Sequence, residues 1–301
     1  MVRQTIIQFV FYSNYFYGLC AVALSVEASL QQRVPLNGAF YFFLVFIITV
    51  LYYSYPYIRK APPANRDPRA KWYYRHYRFM FWNQVIITVI LAVTLVWFLY
   101  SYSNVIWNMS AVEWLVLLAF PVVAASYYGL SFLSAPYSLR SMGWLKPFVI
   151  GFTWAGLVTV YPVLFYNILH NIPYIPGLAG AMLFVKNFMF IAVLCIIFDV
   201  KDYNVDYINR LRTFVVKLGL RKTVFYVVTP LAFLGLATFL YYAIINHFHP
   251  VKMVLNVIPI ALLVVVALSL RRRRSLLYYL AVVDGLMLVK AVCGIIAMKY
   301  F

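Results

Sequence analysis

Charged positions along the chain are sparse and clustered, and the stretches between them are long and apolar. No Asp, Glu, Lys or Arg lies between Arg3 and Glu27, Arg33 and Arg59, Arg78 and Glu113, or Glu113 and Arg140. The same holds between Lys146 and Lys186, Lys222 and Lys252, and Lys252 and Arg271. About 20 apolar residues at 1.5 Å rise cross the ~30 Å hydrocarbon core of a bilayer. Backbone in lipid has to satisfy its own hydrogen bonds, so these stretches are helices. The pattern predicts spans at about 5–26, 36–57, 79–101, 112–134, 147–169, 179–199, 223–246, 252–270 and 275–298. His170-Asn171-Ile172-Pro173 and Pro176-Gly177 divide the long stretch from Lys146 to Lys186, because proline and glycine punctuate helices. The expectation is an all-α polytopic membrane protein of about nine transmembrane helices, one helical domain over 1–301.

Composition agrees: 65% of the 301 residues are hydrophobic and mean hydropathy is +0.87. The N-terminus lacks a basic region followed by a small-residue cleavage site, so it reads as a retained first span. Cys20, Cys195 and Cys293 all fall in predicted spans, which suits buried apolar thiols rather than a disulfide or metal framework.

Charge supplies orientation. The N-terminus and the loops after spans 2, 4, 6 and 8 carry 20 of the 25 basic residues, from Arg3 through the Arg59–Arg78 loop to Arg271–Arg274. The positive-inside rule makes that side cytoplasmic, with the N-terminus inside. The expected location is the cell inner (plasma) membrane, multi-pass. The net charge of +18 is then mainly a topology signal, with attraction to anionic membrane lipids second. Short basic loops tied to a membrane argue against a nucleic-acid partner.

Acidic residues are scarcer still. Of seven, three sit at the cytoplasmic end of span 6, at Asp199, Asp202 and Asp206. Spacings of three and four place them within about 60° on one helix face, which Asn209 and Thr213 extend if the helix persists. Carboxylates so close repel unless a cation lies among them, and hard oxygen ligands favour Mg²⁺, which often bridges carboxylates to substrate phosphates. The bland reading is a solvated helix end balanced by Lys201, Arg210 and Arg212. Asp284, inside span 9, reads equally as a functional carboxylate or as one bonded to a neighbouring helix or Lys290. Lys186 and Lys290 read as snorkelling or paired. His247 and His249 are a weak metal signal in an outer loop.

The stretch Phe198-Asp199-Val200-Lys201-Asp202-Tyr203-Asn204-Val205-Asp206, with Arg212-Thr213, Val216-Lys217-Leu218-Gly219 and Lys222-Thr223 after it, resembles the second aspartate motif of the UbiA family. These are intramembrane prenyltransferases with nine helices. Arg140 and Lys146 in the loop after span 4, with Trp154 downstream, give a second local match. The resemblance implies a UbiA-like bundle and Mg²⁺-dependent transfer of a prenyl group from a polyprenyl diphosphate to an acceptor. It implies metal held by Asp199, Asp202 and Asp206, and diphosphate held by Arg140, Lys146 and Arg212. The alternative is a non-catalytic isoprenoid- or lipid-binding protein of the same fold. A transporter ranks below both, because the acids gather at one mouth rather than at midplane helix breaks.

One departure stands out. The family's first motif, N-D-x-x-D-x-x-x-D, belongs at the end of span 2, where this chain reads Tyr52-Tyr53-Ser54-Tyr55-Pro56-Tyr57-Ile58-Arg59-Lys60 without a carboxylate. An arginine fork binds phosphate oxygens without a metal. Two expectations stand side by side: a hybrid site, with metal on the Asp199 side and arginine, Arg59 first, on the span 2 side, or basic residues that only fix the topology.

Overall fold

The computed structural model describes residues 2–58, 67–128, 142–208, 210–270 and 274–301, and these fold as helices joined by short turns, with no strand among them. Seven helices, Ala39–Tyr57, Tyr77–Ser101, Lys146–Leu169, Leu178–Ile208, Leu220–Ile245, Pro250–Ser269 and Leu276–Tyr300, are long and apolar enough to cross a membrane. A bent N-terminal pair makes an eighth, and Ala111–Tyr127 is a shorter apolar helix where the fourth span was expected. An all-α polytopic bundle follows.

The bent pair corrects the first predicted span. Helix α1 (Val2–Tyr12) stops at Ser13-Asn14, and α2 (Tyr15–Gln31) leaves at 63° to it. Asn14 adopts a left-handed conformation at φ 69°, which asparagine tolerates better than most residues. Its buried side chain donates to Ser54 Oγ at 3.2 Å and to Tyr73 Oη at 3.1 Å, fixing the corner against α3 (Ala39–Ser54) and α4 (Pro68–Arg75). The break shifts the apolar helix toward its C-terminal end. Glu27, expected just beyond a span ending near 26, is fully buried inside α2 instead.

After α4 come α5 (Tyr77–Ser101), α6 (Ser103–Trp107) and α7 (Ala111–Tyr128). Helix α5 lies at the periphery, with Trp82, Val93, Val96 and Trp97 exposed, as suits a surface facing lipid. Helix α8 (Lys146–Leu169) ends where the proline-containing break was predicted, and α9 (Leu178–Ile208) starts beyond it. Helix α9 runs nine residues past the expected end of span 6, so Asp199, Asp202 and Asp206 do share one continuous helix. The face stops there. Thr213 is outside it and caps α10 (Phe214–Leu218), accepting from Val216 N at 3.4 Å, while Asn209 lies outside the described residues.

The remaining helices are α11 (Leu220–Ile245), α12 (Pro250–Ser269) and α13 (Leu276–Tyr300). Helices α8, α11 and α13 each carry one π turn, at Gly156–Val160, Val224–Val228 and Tyr279–Val283. The first two precede Pro162 and Pro230 by a few residues. A proline ring clashes with the carbonyl four residues back, and a widened turn relieves this. The third ends at Asp284, whose N–H bonds Tyr279 O at 3.0 Å. The core lies between α2, α9 and α13, built on Leu24, Ile196, Ile197, Leu280 and Val283.

Candidate functional site at one end of the bundle

The end of α9, the start of α8, the α10 loop, α4 and the start of α2 meet at one end of the bundle. The approach is close. A β-carbon on Gly143 would fall 2.7 Å from Thr213 N and 2.8 Å from Arg212 C, so only glycine lets the two loops touch.

On the α9 side, Asp199 is 1% exposed and accepts from Lys146 Nζ at 2.6 Å through Oδ1. The expected phosphate ligand and the expected metal ligand thus hold each other. Asp202 is partly exposed and faces Lys201 at 3.1 Å. Asp206 is buried. Asp199 Oδ2 and Asp206 Oδ2 are both buried without a hydrogen-bond partner. Among the described residues, no group of three or more His, Cys, Asp or Glu side chains converges on a metal position. Two carboxylates face inward and the third turns to its neighbouring lysine. Arg212 is exposed beside the capping Thr213. Arg59 and Arg140 lie outside the described residues.

A second wall combines Asp284, which the sequence left balanced between two readings, and Trp154 of the second local match with Tyr17, Tyr53 and Arg69, which sequence reasoning did not single out. Asp284 accepts from Tyr17 Oη at 2.5 Å. Tyr17 stacks on Tyr53 with centroids 4.7 Å apart, and Trp154 Nε1 donates to Tyr53 Oη at 2.6 Å. Arg69 is 5% exposed. Its guanidinium carbon lies 5.2 Å from the Tyr57 ring centroid and 5.8 Å from that of Tyr17. Nη2 donates to Phe11 O at 2.9 Å, and Nε is buried without a partner. The other described basic residues of this segment, Lys71, Arg75 and Arg78, are exposed. Asp67, the nearest acid in sequence, is spent on capping α4, accepting from Arg69 N at 3.0 Å. No local signal separates Arg69 from the other basic residues of its segment, because the rings that surround it, Tyr57 and Tyr17, come from elsewhere in the chain.

A groove of about 310 Å³ runs from this wall between α3, α7 and α8, and its lining is almost wholly apolar. Tyr53 and Trp154 belong both to the groove and to the aromatic wall. A slender apolar chain lying in the groove therefore ends beside the charged mouth.

Comparison with family models, curated proteins and solved structures gives no match.

Proposed function

We propose that this chain is a UbiA-like intramembrane prenyltransferase. It binds a polyprenyl diphosphate with the tail in the groove and the diphosphate at the charged mouth, and passes the prenyl group to an acceptor. The observation that carries the reading is a 310 Å³ apolar groove lined by Tyr53 and Trp154, the two residues that join it to the aromatic wall over the buried Arg69, with the Lys146–Asp199 pair about two turns before Trp154 on α8. A ligand that is long and apolar at one end and polyanionic at the other matches it. The mouth faces the cytoplasm of a cell whose plasma membrane holds the chain, by the lysine and arginine bias.

Mg²⁺ fits the residues present on one ground. Asp199 and Asp206 each keep a buried oxygen without a partner; about 10 Å apart along α9, each would hold an ion of its own, and Mg²⁺ at phosphate sites commonly takes only one or two carboxylates, with phosphate oxygens and waters completing its shell. When bound it would neutralise charge on the leaving diphosphate. The chain's own groups do the rest. Lys146 orients Asp199, and with Arg140 and Arg212 it offers donors to phosphate oxygens. Arg69 lies under the Tyr17 and Tyr57 rings from α4, the side where the first aspartate motif is missing. Heterolysis of the C–O bond leaves the electron pair on diphosphate and an allylic cation on the prenyl carbon. Tyr53 and Trp154, the aromatic wall's two residues in the groove, are the rings placed to stabilise that cation. The acceptor forms the new bond and releases a proton.

A second reading is favoured by the Lys146–Asp199 pair, which already neutralises one of the two inward carboxylates. In it the chain binds isoprenoid diphosphates or lipids without turnover. The test is the purified protein with farnesyl diphosphate and Mg²⁺, following diphosphate release and, separately, binding of a non-hydrolysable analogue. Release that is lost in Asp206→Asn supports the enzyme. Analogue binding without release supports the non-catalytic protein, and absence of both overturns the family reading.

A further inference from the structure

The other half of the bundle holds a second charged cluster, remote from the mouth. Glu27 is ten residues along α2 from Tyr17, about 15 Å at 1.5 Å per residue. Lys186 is thirteen residues along α9 from Asp199, about 20 Å. Helices α2, α9, α12 and α13 bring together Glu27, Gln31, Lys186, Asn256 and Lys290, none more than 4% exposed. Lys290 Nζ donates to Glu27 Oε2 at 2.6 Å, and Gln31 Nε2 donates to Glu27 Oε1 at 2.6 Å and to Asn256 Oδ1 at 2.9 Å. Lys186 Nζ donates to Asn256 Oδ1 at 2.9 Å and to Gln31 Oε1 at 3.4 Å, and its nearest carboxylate oxygen is Glu27 Oε1 at 3.9 Å. Its ammonium also sits 4.5 Å from the Phe239 ring centroid. The cluster is closely built. A β-carbon on Gly294 would lie 2.4 Å from Glu27 Cγ, so the carboxylate rests against bare backbone.

With both lysines protonated the charges do not cancel. Two ammoniums share one carboxylate, and that carboxylate is already paired with Lys290. A net positive charge inside a membrane bundle is costly, and amide oxygens and a ring face offset only part of it. Beside the two lysines is a cavity of about 10 Å³, lined by Lys186, Lys290, Asn256 and apolar side chains such as Leu231, Pro259 and Leu263. That volume admits the centre of roughly one water-sized particle. We propose that the cavity is a binding site for one small monovalent inorganic anion of halide size, held between the Lys186 and Lys290 ammoniums. The size excludes phosphate and sulfate. The charge favours an anion over water, because water leaves the excess in place. The apolar remainder of the wall suits a weakly hydrated ion. Occupancy ties the four helices together, independently of any ligand at the mouth.

The test is thermal unfolding of the purified protein in detergent, with sodium chloride exchanged for sodium gluconate at constant ionic strength. The midpoint should rise with chloride and saturate, bromide should substitute, and sulfate should not. In Lys186→Met the Glu27–Lys290 pair remains neutral, and the midpoint should be higher than wild type without chloride and unresponsive to it. Equilibrium dialysis of radiolabelled chloride against wild type gives an answer that needs no variant, and one saturable ion per chain is expected. No bound chloride overturns the site, since Lys186 is then neutral or solvated by water alone. An equal midpoint response in wild type and Lys186→Met overturns it too, as a general salt effect.

Discussion

Removing the charges of the Glu27 cluster one at a time should give a definite order of stability loss. Coulomb attraction falls as the inverse of distance. Lys186, at 3.9 Å from Glu27, therefore supplies about two-thirds of the attraction that Lys290 supplies at 2.6 Å. In Lys290→Met the carboxylate keeps that second lysine and the Gln31 amide, and the cluster becomes neutral. The expected cost is about 1–2 kcal/mol, below the ~3–5 kcal/mol usual for leaving a buried charge without its partner. Glu27→Gln does the opposite. It leaves two ammoniums facing each other with no carboxylate, so about 3–5 kcal/mol is expected. Lys186→Met removes only the surplus charge and should stabilise in the absence of chloride. The assay is reversible unfolding in mixed micelles of rising SDS fraction, in chloride-free buffer. If Glu27→Gln proves no worse than Lys290→Met, the charge accounting is wrong and the cluster acts by packing alone.

Three further outcomes are expected. Ala124→Trp, which fills the groove from α7, should weaken binding of a non-hydrolysable prenyl diphosphate about tenfold or more, or about 1.4 kcal/mol, while inorganic diphosphate binding stays unchanged. Loss of both would place the tail elsewhere. Arg69→Gln should weaken analogue binding in the presence of chelator, with Arg69→Lys giving partial rescue because lysine lacks the fork. Indifference to both in chelator would remove arginine from the site. In a cysteine-free background in intact cells, a membrane-impermeant thiol reagent should reach a cysteine at His249 but not one at Lys217, and labelling in the reverse order would invert the topology drawn from the basic bias.

The fold was legible in the sequence where it depended on what lipid forbids. Gaps between charges located the long helices, and Pro173, Pro176 and Gly177 located the break between α8 and α9, because burying charge or breaking a backbone ladder in hydrocarbon is costly whatever the partner. Features that depended on partners distant in sequence were not legible. Asn14 turns α1 into α2 because Ser54 and Tyr73 receive its amide, and nothing local announces those acceptors. Asp284 finds Tyr17, 267 positions away, so its sequence context left it balanced between two readings. Lys290, the partner considered for it, goes to Glu27 instead. Arg69 looked like six other basic residues of its loop until α4 folded it under the aromatic wall. The acid face of α9 was readable from helical periodicity, but the division of labour within it was not. Lys146 selects Asp199 through a contact set by helix packing, while Asp202 pairs with its sequence neighbour Lys201.

The scarcity of acids makes an accounting of them informative. Glu27 is held by Lys290, Asp199 by Lys146, Asp202 by Lys201 and Asp284 by Tyr17. Asp67 caps α4, and Glu113 accepts from Ser110 N at 2.8 Å and from Tyr174 N at 3.1 Å, closing the start of α7 against the α8–α9 turn. Six of the seven therefore have a structural partner. Asp206 is different. It is buried, and its Oδ2 has no hydrogen-bond partner among the described residues. A buried carboxylate oxygen left without a donor costs about 1–3 kcal/mol or more, and native proteins seldom keep one without a use for it. Among the described residues the only other carboxylate oxygen in that state is Asp199 Oδ2, two helical turns back on the same face. The two orphaned oxygens share one end of the bundle, next to the mouth of the apolar groove. A ligand that satisfies both has to bring positive charge or hydrogen-bond donors to two positions about 10 Å apart along α9, which a metal-bound diphosphate or a large cationic headgroup can do and a bare hydrocarbon chain cannot.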